Sequence, residues 1–194
     1  MSKYILGSHN SWSYLQPKRW WMRPFRFMAR CQRVDIRKQY EMGVRCFDLR
    51  LLFDEWDGME IAHGRMRYKY TPEQLACDLR WLHMKGDCYV RLIHEVRSRS
   101  RHTYYAIESF KDVCKRWGKN YPNIHWWCGR NLYNWEKDYD FGPEPSCEER
   151  HASVSKPRLV DDWWPWLYAR MHNDAIRMVG TDKEILLIDY VDIK

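Results

Sequence analysis

The run CFDLRLLF, residues 46–53, constrains this chain more than any other stretch. In a strand, residues two apart share a face, so Asp48 and Arg50 point together to one side while Phe47, Leu49, Leu51 and Phe53 point to the other. An acid and a base on one face of an otherwise apolar strand are either a buried ion pair, which offsets its own desolvation only with good geometry, or part of a polar site. Two histidines favour the site. His9 in YILGSHNSW and His63 in MEIAHG each follow a short apolar run and a small residue or two. Strand ends would then deliver both imidazoles to one pocket, where they can share acid and base work.

The rest of the chain alternates strands with helices. A first strand is expected over residues 3–6, broken by Gly7 and Ser8, with a helix over 31–42 ended by Gly43 in a left-handed position. After the strand at 44–53, the turn from Asp54 to Gly58 returns the chain as a short strand, 59–62, that delivers His63. Thr71 caps a helix with Pro72 in its first position and Leu75, Leu79 and Leu82 as its apolar stripe. A strand at 87–96 puts Arg91 and Glu95 on one face and His94 on the other. The helix over 103–117 packs through Ala106, Ile107, Phe110, Val113 and Cys114, and a short strand follows at 123–128. Periodicity fails over 129–157, where Gly142, Pro143 and Pro145 mark a long loop. Asp161 and Asp162 cap a helix that admits Pro165 in its first turn, with Trp164, Leu167, Tyr168, Met171, Ala175 and Met178 as a buried stripe. Beyond Gly180 lies a last strand at 184–191.

Such an alternation, with about six strands, argues a mainly parallel sheet or barrel. The 194 residues fit one domain, 1–194, yet fall short of the roughly 250 typical of a full eight-unit barrel. The expected fold is therefore α/β, a small, distorted or incomplete TIM-type barrel.

A formal net charge of +7 fits an anionic partner. Between Lys18 and Arg33 the chain combines Arg19, Arg23, Arg26, Arg30 and Arg33 with Trp20, Trp21, Phe25 and Phe27. This is either a partly exposed helix start packed on the fold or a membrane-surface element, in which Trp and Phe enter the lipid interface while Arg attracts anionic headgroups. Basic and aromatic residues also serve single-stranded nucleic acid, but no recognisable binding module accompanies them, so no nucleic-acid partner is expected. Seven Cys without C-x-x-C spacing read as reduced thiols, with Cys46, Cys77, Cys88, Cys114 and Cys128 in apolar surroundings. No secretory signal follows Met1, and no run approaches the roughly 18 apolar residues of a membrane span. The expectation is a soluble, cytoplasmic-type protein able to meet a membrane peripherally.

Parallel barrels place catalytic groups at the C-terminal ends of strands, and His9, Arg50, His63 and Asp189 all fall at or near such ends. A phosphodiester suits this set, because Arg50 can hold a nonbridging oxygen while one imidazole removes a proton and the other donates one. His83, His94 and His125 read instead as ordinary structural histidines.

GSHNSW, then GVRCFDLRL, then IAHG resemble the X-box catalytic core of phosphatidylinositol-specific phospholipase C over roughly residues 4–95, and the strand EILLIDYVD adds to the likeness. The resemblance implies a distorted TIM-type barrel with His9 as general base and His63 as general acid. Arg50 matches the position where metal-independent bacterial members carry Arg and eukaryotic members carry a calcium-binding Asp, so no metal or other cofactor is expected. Asp189 matches the late-strand carboxylate that orients His9, its alternative being a salt bridge or strand-end cap. Asn10, Asp48, Arg91 and Glu95 complete the implied substrate pocket. Asp48 braces Arg50 or a neighbouring donor; Glu95 either pairs with Arg50 or Arg91 or marks a lost calcium-ligand position. Asn10 departs from the bacterial pattern, which has Asp after the first His.

The implied substrate is a phospholipid headgroup, cleaved when an adjacent hydroxyl attacks phosphorus to release diacylglycerol and a cyclic inositol phosphate. In bacterial members the segment after the first strand contributes to membrane binding. A metal-dependent glycerophosphodiester phosphodiesterase would want an HRG-like start and acidic ligands, which GSHN and Arg50 do not supply. A non-catalytic barrel that binds anionic lipid or phosphate stays open because of Asn10 and the short chain.

Overall fold

The structure, a computed structural model, describes residues 4–54, 58–95, 103–131, 152–154, 164–179 and 185–193. In chain order its elements are β1 (Ile5–Ser8), a 3-10 segment (Trp20–Met28), α1 (Ile36–Glu41), β2 (Cys46–Asp54), β3 (Gly58–His63), β4 (Met66–Arg67), α2 (Pro72–Lys85), β5 (Tyr89–Glu95), α3 (Thr103–Asn120), β6 (His125–Asn131), β7 (Ala152–Val154), α4 (Pro165–Val179) and β8 (Ile185–Ile188). Local chemistry sets several boundaries. In α2, Thr71 Oγ1 accepts from Gln74 N at 3.2 Å while Gln74 Oε1 accepts from Thr71 N at 3.0 Å, a reciprocal cap completed by Pro72. Gly43, at φ 95°, ends the turn after α1 in the left-handed region that glycine enters without a Cβ clash.

All eight strands belong to one sheet. Parallel pairing runs β7–β8–β1–β2–β5–β6, and the antiparallel hairpin β3–β4 joins the far end of β2. Strand β2 therefore has three neighbours: β1 beside Cys46 and Phe47, β5 from Cys46 to Leu51, and β3 from Leu51 to Asp54. Among the described residues the edge strands β6 and β7 do not pair, so the fold is a mixed α/β sheet that does not close on itself.

The alternation along β2 sorts its neighbours. Phe47, Leu49 and Leu51 enter the main core with Leu75, Leu79 and Leu82 of α2 and Phe110 and Val113 of α3, where each buried leucine contributes about 2 kcal/mol. The other face starts with a small apolar plug, Cys46, Trp127, Ile185 and Leu187, and continues to Asp48 and Arg50, both with no exposure. A Cβ at Gly7 would sit 2.4 Å from Leu187 Cδ2 and 3.2 Å from Cys46 Cβ. Glycine here lets β1 lie between β2 and β8.

That close approach corrects the expected first strand: Gly7 and Ser8 belong to β1 and do not break it. Helix α1 is shorter than 31–42, because Asp35 caps it by accepting from Lys38 N at 2.9 Å. Two more strands exist than the six expected: β4, and β7 within the stretch read as loop. On α4 the expected buried stripe is largely reversed. Tyr168 is buried, but Trp164, Leu167, Met171, Ala175 and Met178 face outward, and Ala169 and Asn173 turn inward. Cys77 is exposed on α2, not apolar in its surroundings. The expected turn at Trp56 and Asp57, the Asp161 and Asp162 cap, Gly180, Glu184, Cys147 and most of 129–157 lie outside the described residues.

Candidate active site

The end of β1 carries His9, whose backbone N–H donates to the Ile188 carbonyl at 2.9 Å and so continues the β1–β8 pairing. This register brings His9 Nδ1 to 2.7 Å from Asp189 Oδ1 across 180 residues of sequence. Each member of the pair precedes a residue in the left-handed region, Asn10 and Tyr190, both at φ 46°. Asparagine tolerates that conformation and tyrosine does so at some strain. Tyr190 is held by its N–H, which donates to the Cys31 carbonyl at 2.6 Å.

Below the imidazole lies a buried charge cluster. Asp48 accepts from Arg50 Nε at 2.8 Å, Arg91 Nη1 at 3.0 Å and the Asn10 N–H at 2.8 Å, and its Oδ2 stands 3.9 Å from His9 Nε2. Burial opposes its ionisation, but Arg50, Arg91, His9 and the Asn10 N–H outweigh burial and hold the carboxyl well below the usual range. Glu95 Oε1 lies 3.6 Å from Arg50 Nη1 and accepts from Gly64 N at 2.7 Å. Arg91 covers Trp127, its guanidinium carbon 5.2 Å from the ring centroid. The Asn10 amide is buried and meets the Tyr68 hydroxyl.

The hairpin β2–β3 presents His63 opposite His9, ring centroids 5.6 Å apart at 86°. His63 Nδ1 faces the Ala29 carbonyl at 3.0 Å, which accepts its proton. Burial first, then Arg50, pushes the His63 pKa down to about 4, so the ring is neutral at neutral pH. His9, Arg50, His63, Asp189, Asn10, Asp48, Arg91 and Glu95 thus gather in one place. His94 stacks on Phe110 at 5.3 Å on the opposite, helix-covered face.

Several residues around this site carry no signal in the pattern of charges and histidines. Ser11 Oγ accepts from Asp48 N at 2.8 Å, and Ser13 Oγ accepts from Cys31 N at 2.9 Å and Gln32 N at 2.8 Å. These serines brace the site. Gln32 Nε2 donates to the carbonyls of His9 at 3.1 Å and Ile188 at 2.9 Å, and its Oε1 accepts from Val191 N. Asn173 of α4 donates to the Asp189 carbonyl at 2.8 Å. Cys31, buried beside the imidazoles, completes a group with His9 and His63 whose ligand atoms all lie within 4.8 Å of one another.

Next to the site stands the 3-10 segment, none of whose residues is buried. Trp20 is 76% exposed and Phe25 51%, Arg19 lies over the Trp21 ring at 5.7 Å, and Phe27 meets Trp164 at 5.7 Å. The segment ends one residue before Ala29, whose carbonyl also accepts from Tyr68 Oη at 2.9 Å. Among the described residues no helix is long and apolar enough to cross a membrane.

No protein-family profile and no curated protein matches the chain. Solved structures do. The phosphatidylinositol-specific phospholipase C of Listeria monocytogenes superposes with a TM-score of 0.59 at 14% identity, covering 97% of this chain and 88% of that one. The Staphylococcus aureus enzyme of the same name, in a structure concerned with its membrane binding, gives 0.57 at 13% identity over 97% and 86%; another structure of it gives 0.58 over 98% and 87%. At such identity the likeness establishes a shared fold.

Proposed function

We propose that this chain is a phosphodiesterase of the phosphatidylinositol-specific phospholipase C type, built on an incomplete TIM-type barrel. One observation carries the reading: His9 with Asp189, Asp48 with Arg50, and His63 converge at strand ends in a fold similar to bacterial enzymes of that name. His9, oriented by Asp189 on Nδ1, takes the proton of the hydroxyl adjacent to the phosphoester. That oxygen attacks phosphorus, the bond to the lipid oxygen breaks, and His63 protonates the departing oxygen. The products are a cyclic phosphate and diacylglycerol. Arg50, and the Asn10 amide beside it, receive the nonbridging oxygens; Asp48 and Glu95 fix the Arg50 guanidinium, and Arg91 holds the other oxygen of Asp48.

His63 is neutral in the free protein because burial and Arg50 disfavour its charge. An arriving phosphodiester anion offsets Arg50 and draws a proton onto His63, which arms it as the acid only when substrate is present. The guanidinium supplies the positive charge that a calcium ion supplies elsewhere, so turnover needs no metal. The exposed aromatics and arginines of the 3-10 segment seat the site on an anionic lipid surface.

The test is phosphatidylinositol with the protein in EDTA, followed by phosphorus NMR. The expected outcome is a cyclic phosphate, absent with His9→Ala and with His63→Ala. Turnover lost in EDTA and restored by calcium or magnesium would favour a metal-dependent phosphodiesterase. Substrate bound but never cleaved would favour a binding protein.

A further inference from the structure

Among the described residues of the site, Cys31 offers a thiol that the proposed phosphodiester chemistry leaves unused. It lies almost wholly buried, its Sγ 3.9 Å from His63 Nδ1. Tetrahedral zinc, with bonds of about 2.3 Å to sulfur and about 2.0 Å to nitrogen, places those two atoms roughly 3.6 Å apart. One ligand atom each from His9, Cys31 and His63 already lies within 4.8 Å of the other two.

Two further features fit a cation. Asp189 holds His9 Nδ1 at 2.7 Å, the carboxylate–imidazole arrangement that orients metal-bound histidines and turns the other ring nitrogen to the ion. The surrounding charge also favours it. Asp48, Glu95 and Asp189 bring three negative charges against the two positive charges of Arg50 and Arg91. A dication bound with a thiolate adds one net positive charge and cancels the excess.

We propose that His9, Cys31 and His63 form an inhibitory Zn2+ site, with three protein ligands and an open fourth position. Binding releases the Cys31 thiol proton as the sulfur–zinc bond forms. It also moves the His63 proton from Nδ1, where the Ala29 carbonyl now accepts it, to Nε2. The ion then occupies the lone pair with which each imidazole would take up a further proton, so neither ring can act as base or become the imidazolium acid. The effect on turnover rests on the phosphodiesterase reading, whereas the site itself does not.

The test uses the full chain, with Co2+ as a spectroscopic probe and Zn2+ in calorimetry. A sulfur-to-cobalt charge-transfer band is expected, lost in Cys31→Ser and kept in Cys77→Ser, and Zn2+ affinity should fall by more than about tenfold in Cys31→Ser. Should Cys31→Ser fail to fold, His63→Gln must lower Zn2+ affinity to a similar degree. No band in the parent protein, or a band unchanged by Cys31→Ser, overturns the inference. Zn2+ should also slow phosphatidylinositol cleavage and EDTA restore it. A chain that binds Co2+ through Cys31 without cleaving lipid keeps the metal site and loses the phosphodiesterase reading; a chain that cleaves without a Cys31-dependent band loses the metal site alone.

Discussion

The buried charge cluster beneath His9, the floor of the site, and the exposed 3-10 segment, its rim, stand side by side and are built on opposite principles. On the floor, Asp48 and Arg50 have no exposure, and the Asp48 carboxylate meets three donors. On the rim, a nine-residue segment rich in Trp and Phe buries none of its side chains. The floor fixes charge by surrounding it, since a buried ion without partners is strongly destabilising. The rim leaves much of the area of Trp20, Trp21, Phe25 and Phe27 exposed to water, a concentration of apolar surface that marks an interaction site. On the proposed reading, the first region serves the reaction and the second the lipid phase that holds the substrate.

Perturbing each region separately would sharpen or break that contrast. The largest effect is expected for His9→Ala: phosphatidylinositol turnover should fall by about 1,000-fold with an unchanged circular dichroism spectrum. Asp48→Asn strips Arg50 and Arg91 of their shared carboxylate and should lower unfolding free energy by about 3 kcal/mol, read by denaturant titration. Next in size is a pH effect. The His63 pKa is depressed to about 4 in the folded chain against about 6.5 unfolded, so the unfolded state binds the proton more readily. Stability from this group is full above pH 6.5 and is lost as pH falls toward 4. Because His63 is only half-buried, the loss should be about 2 kcal/mol, and His63→Gln should flatten it. The smallest effect belongs to the rim. Trp20→Ala should weaken binding to anionic vesicles by about fivefold, some 1 kcal/mol, and reduce cleavage of vesicle lipid more than cleavage of a water-soluble cyclic phosphate. Equal losses on both substrates would mean that the rim belongs to the floor after all.

Much of the floor was legible because period-two alternation in β2 places Asp48 and Arg50 on one face, and because the hairpin that delivers His63 needs only local turn chemistry. The Thr71 cap and the Gly43 stop were legible for the same reason: local rules decide them. What was not legible depends on long-range partners. Helix α4 carries apolar residues on two faces, and its hydrophobic periodicity favoured the wrong one. The buried side is selected by Asn173, which satisfies the carbonyls of Asp189 and Tyr190 at 2.8 and 3.2 Å, and by Ala169, small enough to let the helix approach. Gln32 and Ser13 look like ordinary polar residues until the backbone groups they satisfy are in place. Cys31 lies inside a stretch dominated by arginines and aromatics, with no Cys or His beside it in sequence to mark a ligand spacing. At Gly7 a turn signal was outweighed by the need for a strand with no side chain.

The His9–Asp189 contact spans 180 residues, and that separation has a consequence for how the protein is made. Loop closure over so long a chain is entropically late, and folds dominated by such pairings form slowly. During synthesis His9, Arg50 and His63 leave the ribosome long before β8 exists to seat beside β1. A nascent chain therefore carries His9, Arg50 and His63 without the carboxylate that meets His9, and the proposed activity would arrive only with β8.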